Sequence, residues 1–134
     1  MAKNTRSKPN PLQKMARRTV RDFINQIIGV KPEQIISPPV KGTEAWYRDR
    51  LADKLKGKVE VNTEAGRIDI LTDTELIEVK RVSGWKGAIG QVKTYGRYYP
   101  NHSKRIHLFG KLTERGLKMI QGVCQSEGIL VTYE

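Results

Sequence analysis

A mixed α/β fold, one sheet flanked by helices, is what this sequence predicts, and three observations carry the prediction. Apolar residues recur at three- and four-residue steps in four stretches and alternate in five shorter ones. The order reads α-α-β-β-β-α-β-α-β, so only the later β-α-β-α-β half can supply parallel crossovers. Glycines, prolines and capping residues punctuate these segments. At 134 residues the chain fits one domain able to bury most of its apolar surface without disulfides or a structural metal.

Residues 1–10 are polar, basic and proline-containing, and read as a flexible arm that leaves 11–134 as a single domain. From Pro11 to Ile28, Leu12, Met15, Ala16, Thr19, Val20, Phe23 and Ile27 make an apolar helical stripe. Residues 29–42 carry Pro32, Pro38 and Pro39 with two glycines, an irregular connection. Thr43 caps a second helix, which runs to Lys56 and stops at Gly57. Strands follow at 58–63, 67–71 and 75–81. Ser83 and Gly84 lead into a helix over 85–99, ended by Pro100. Its stripe of Trp85, Ala88, Ile89, Val92, Tyr95 and Tyr99 is expected to be core. A strand at 105–109, a helix capped by Thr113 over 113–126, and a strand at 129–133 complete the order.

Composition narrows the function. No stretch reaches the ~20 apolar residues that span a bilayer, and no signal-peptide core follows the basic N-terminus, so a membrane partner is not expected. The single Cys124 excludes a disulfide framework and a multi-cysteine zinc site, and points to a reducing, cytoplasmic setting. It falls in an apolar-periodic stretch and reads as a small core residue. There are 25 Lys and Arg against 14 Asp and Glu, a net charge of +11. Lys3, Arg6, Lys8, Lys14, Arg17, Arg18 and Arg21 precede the first acid, Asp22. Such a run neutralises phosphates and suits DNA. A solvated tail, or one on anionic lipid, gives the same pattern.

The informative stretch is 66–81. Alternation places Ile68 and Ile70 on one face of the first strand, with Arg67, Asp69 and Leu71 on the other. In the second strand Ile77 and Val79 oppose Leu76, Glu78 and Lys80. With Asp73-Thr74 as the turn, Leu71 opposes Leu76, Ile70 opposes Ile77, and Asp69 falls opposite Glu78. Two carboxylates so placed share a proton or bind a cation; a solvated hairpin face is the plainer alternative. Hard cations such as Mg²⁺ take oxygen ligands of this kind. Glu44, seven and eleven residues before Leu51 and Leu55, heads the core-facing stripe of its helix. It reads either as a first-turn acid favoured by the helix dipole or as an inward-facing ligand.

An acid on a leading helix, then Asp69, then Glu78-Val79-Lys80, resembles the PD-(D/E)XK nuclease superfamily, and Gln91-x-x-x-Tyr95 resembles the glutamine–tyrosine motif of its RecB-like branch. The match covers residues 43–109. It implies a restriction-endonuclease-like α-β-β-β-α-β core, with a basic N-terminal helix and a C-terminal α-β extension. It also implies Mg²⁺ or Mn²⁺ held by Asp69, Glu78, the Val79 carbonyl and Glu44, with Lys80 assisting a water and Gln91 and Tyr95 holding substrate or Lys80. Ile68 stands where the family often has proline. Short phage-encoded proteins show a similar GxIDILT pattern.

The expected function is then metal-dependent hydrolysis of DNA, structure-selective toward branched, junction or flap substrates. The basic arm, joined by Arg67, grips phosphate, and a homodimer suits double-strand cutting. A RecB-like exonuclease and a homing or restriction-type endonuclease are alternatives within that class. Outside it stand a catalytically silent nucleic-acid-binding module and a basic adaptor for an acidic protein surface.

Overall fold

A computed structural model describes residues 37–134, and the compact unit within it comprises Pro39–Glu134. The helix expected over 11–28, the boundary after residue 10, and Lys3, Arg6, Lys8, Lys14, Arg17, Arg18 and Arg21 lie outside the described residues. Within them the order is α1 (Glu44–Leu55), β1 (Lys58–Thr63), β2 (Gly66–Leu71), β3 (Glu75–Arg81), a 3₁₀ turn (Val82–Gly84), α2 (Trp85–Gly96), β4 (Ser103–Phe109), α3 (Glu114–Ser126) and β5 (Ile129–Tyr133). The predicted α-β-β-β-α-β order followed by α-β is the observed one.

Local chemistry sets the boundaries. The Thr43 hydroxyl accepts the Trp46 N–H and opens α1, and the Thr113 hydroxyl does the same for α3 through the Gly116 N–H. Lys56 closes α1 in the left-handed region at φ 54°, and the Gly57 N–H returns to the Ala52 carbonyl. Helix α2 ends at Gly96, three residues short of expectation. The chain tightens there into a turn in which the Tyr98 N–H reaches the Tyr95 carbonyl.

The sheet runs β1-β2-β3-β4-β5. The first three strands pair antiparallel, and β3-β4 and β4-β5 pair parallel, so it is a mixed sheet with the crossovers where the sequence placed them. Helix α1 packs on β1 to β3, α2 on β3 and β4, and α3 on β5. Each face therefore has its own apolar layer. Ile70, Ile77, Val79, Phe109 and Ala52 form one, with Tyr47, Leu51 and Leu55 against it. Ile68, Leu76, Ala88, Val92, Tyr95, Ile106, Leu108, Ile120, Cys124, Ile129 and Val131 form the other. The stripe predicted for α2 and the burial of Cys124 are thus seen in the core.

One expectation fails. Ile68 and Ile70 do not share a face: Ile68 packs with Leu76 and Val92, Ile70 with Ile77 and Val79. The cause is an irregularity at Asp69. The β1-β2 ladder pairs Val59 with Ile70 and Val61 with Ile68 but leaves out Glu60 and Asp69, and Glu60 sits at φ 52°. On the other side the β2-β3 ladder holds only Leu71↔Leu76 and Ile70↔Ile77. A strand released from both neighbours at one residue can switch the side its next side chain takes, as at a bulge.

Candidate functional site

The ladder stops where the sequence put its two opposed carboxylates. The predicted register is right up to Ile70↔Ile77; Asp69 and Glu78 do not continue it as a paired step. Oδ2 of Asp69 instead accepts the backbone N–H of Val79 at 2.9 Å. Glu78 is buried, 3% exposed, and its Oε2 has no hydrogen-bond partner. Burial first, then the charge of Asp69, pushes the Glu78 carboxyl up to about 8, from an ordinary value near 4.5. Burial also raises Asp69, while the Val79 N–H pulls it back. Near neutral pH the pair therefore holds a proton on Glu78, the only form in which its O–H can donate to the Asp69 carboxylate.

Three elements bring the other predicted residues around this pair. Lys80 lies one pleat further along β3, its stem passing over Gly84 and its Nζ 3.8 Å from Glu44 at the start of α1. Tyr95 on α2 rests its hydroxyl over Gly66, where an added Cβ would lie 2.7 Å from it. Gly66 adopts φ 137°, open to glycine and strained for other residues, and that leaves room for the ring. Burial, then the Glu78 and Asp69 charges, raise the Tyr95 hydroxyl, and the Gln91 side chain beside it acts in the opposite sense. So Glu44, Asp69, Glu78, Lys80, Gln91 and Tyr95 converge.

Arg48 joins the site from α1. It pairs with Asp49 at 2.9 Å and Glu60 at 3.0 Å, and its charge reaches Asp69. The available signal was its spacing, since Arg48 is four residues after Glu44 and shares that side of α1. Arg67 stays at the surface, 3.6 Å from Glu60.

The implied metal set is not assembled. Glu44 is half exposed and engaged by Lys80, Asp69 spends an oxygen on Val79, and Val79 turns its N–H toward the pair. Among the described residues there is no group of three or more His, Cys, Asp or Glu side chains able to hold a metal ion. What the geometry defines is a small basic α/β domain with a buried, proton-holding acid pair framed by Lys80 and Arg48.

Comparison with known proteins gives the relatives. Three putative KilA-N domain-containing proteins of Acanthamoeba polyphaga mimivirus match: one is 41% identical over 82 residues, 61% of this chain and 33% of its own length. The others are 38% identical over 81 and 79 residues, covering 60% and 59% of this chain but 22% and 21% of their own lengths. The chain thus spans between about a fifth and a third of these relatives. No family model and no solved structure matches.

These relatives overturn the PD-(D/E)XK resemblance. With it goes the reading as a metal-dependent nuclease, structure-selective, RecB-like or homing. The motif elements are single residues on short strands, and an acid pair stabilised by a shared proton yields the same pattern as an acid pair stabilised by a cation.

Proposed function

We propose that this chain is a DNA-binding module that grips the phosphate backbone without cleaving it. The observation that carries the reading is the similarity to KilA-N domain-containing proteins, KilA-N being a DNA-binding domain family. The charge agrees with it. A net +11 favours a polyanion, and seven of the basic residues precede the first acid. The described part keeps 17 basic against 12 acidic side chains, with Arg67 exposed among them.

The acid pair belongs to this reading as structure. A carboxyl that holds its proton near neutral pH adds no negative charge to repel phosphate. No helix among the described residues is long and apolar enough to cross a membrane. A setting in the cytoplasm of an infected host is consistent with the viral origin of the relatives.

The test is fluorescence anisotropy with a labelled duplex across a salt series, beside an incubation of plasmid with Mg²⁺. Binding is expected to weaken linearly in log–log form with salt. Removing residues 1–21 should shallow the slope by about 0.9 for each lost phosphate contact. Salt-insensitive binding, or none, overturns the proposal. So does Mg²⁺-dependent cleavage that Asp69→Ala abolishes.

A further inference from the structure

Between Glu78 and Glu114 the chain carries eight basic side chains and no acid. The fold gathers four basic residues, three of that run and Arg115 just beyond it, at one rim of the sheet. Strands β3 and β4 are parallel and in register through Arg81↔Phe109, so they end together. From that rim β3 leads through Val82–Gly84 into α2, and β4 leads through residues 110–113 into α3. Arg81 closes β3, Lys86 and Arg115 are each the second residue of their helix, and Lys111 lies in the loop after β4. All four are exposed, and among the described residues none is paired with a carboxylate. Arg48, Arg67, Lys80 and Arg105 each hold such a pair. The acid beside them, Glu114, is engaged by Lys118 at 3.6 Å.

Arg81 is the member of this group that the structure seats. Its guanidinium lies over the Phe109 ring, 4.9 Å from the centroid. Phe109 is buried, and Tyr47 of α1 stacks on it at 4.3 Å, so the surface beneath the arginine is fixed by packing. The arginine stem passes Gly110, whose carbonyl accepts the Tyr133 hydroxyl, a bond that anchors the loop carrying Lys111. A guanidinium stacked by its face keeps its in-plane N–H groups for a partner, and their fork matches two oxygens of one phosphate. Stacking also restricts the side chain beforehand, so binding loses less of its freedom.

We propose that Arg81, with Lys86 and Lys111 beside it, is where the backbone of DNA crosses the domain, Arg81 taking one phosphate through its fork. The inference rests on the DNA-binding reading and gives it a place. Charge selects the occupant. Residues 1–36 carry eight basic and two acidic side chains, so they add to the positive charge of the chain instead of neutralising this rim. A second copy, itself at +11, is repelled from it, whereas a phosphodiester chain is attracted.

The test measures binding of the full chain to a labelled mixed-sequence duplex across a salt series. Arg81→Met removes the charge but keeps an unbranched stem over Phe109. It should weaken binding about fivefold and shallow the salt slope by about 0.9, one phosphate contact. Arg97→Met removes a charge from the other end of α2, also unpaired among the described residues, and should leave affinity within about twofold. Arg81→Lys keeps the charge without the fork and should bind about threefold more weakly. Urea midpoints of all three should match wild type; if Arg81→Met does not fold, Arg81→Lys decides. A wild type that binds no duplex overturns the DNA-binding reading and this assignment with it. A wild type that binds, with Arg81 variants of unchanged affinity, overturns this assignment alone. So does an Arg97→Met loss equal to that of Arg81→Met, since binding would then follow overall charge.

Discussion

The backbone N–H of Val79 donates to the Asp69 carboxylate at 2.9 Å, one step beyond the last paired residues of β2 and β3. A side chain thus supplies the acceptor that the broken ladder does not. Asp69→Ala should cost about 1–3 kcal/mol, the penalty for a buried donor left unmade. Asp69→Asn should cost less, because its amide oxygen still accepts. Urea denaturation at pH 6, where Glu78 is already protonated, separates the two. Equal losses would mean that the bond contributes nothing.

Glu78 gives stability a pH dependence of defined sign. Its carboxyl stands at about 8 in the folded chain and near 4.5 when unfolded. Between those values the folded state keeps a proton that the unfolded state releases, so stability is full below about 4.5 and falls as pH rises to about 8. Asp69, also raised, acts in the same direction. His107, lowered mainly by burial from a value near 6.5, acts oppositely: its contribution is lost as pH falls below 6.5. The slope is therefore best read from pH 7 upward. Glu78→Gln stays neutral and should flatten it, leaving the variant more stable than wild type at pH 9. Parallel curves for the two proteins would remove Glu78 as the source.

Gly66 and Tyr95 are matched to each other. A methyl group at Gly66 meets both a backbone at φ 137° and the Tyr95 hydroxyl 2.7 Å away. Gly66→Ala should cost about 2 kcal/mol or more. In a Tyr95→Phe background the loss should shrink, since the clash with oxygen is gone and only the backbone strain remains. A double-mutant cycle measures the difference; strict additivity would show that the two residues do not press on one another.

Arg105 on β4 holds Glu75 on β3 through Nε at 2.6 Å and Nη2 at 2.8 Å. The guanidinium matches both carboxylate oxygens at once, and the pair is largely withdrawn from solvent. Arg105→Lys keeps the charge but loses the fork, and should cost about 1 kcal/mol. The loss should persist in 1 M salt, which screens exposed pairs far more than sheltered ones. A deficit that vanishes in salt would make this an ordinary surface pair.

The sequence by itself determined the element order, the caps at Thr43 and Thr113, the turn at Asp73-Thr74 and the register through Ile70↔Ile77. All are local: each rests on residues within one turn of helix or one hairpin. Strand alternation and helical spacing also bring Glu44, Asp69, Glu78, Lys80, Gln91 and Tyr95 near one another. What they do together was not legible. A proton shared by two acids and a cation held by two acids require the same residues at the same spacing. The burial of Glu78 and the bond from the Val79 N–H to Asp69 come from packing between elements. Likewise the switch of face between Ile68 and Ile70 arises from β1 and β3 both letting go of Asp69. Those depend on neighbours distant in sequence, and tertiary structure alone decided them.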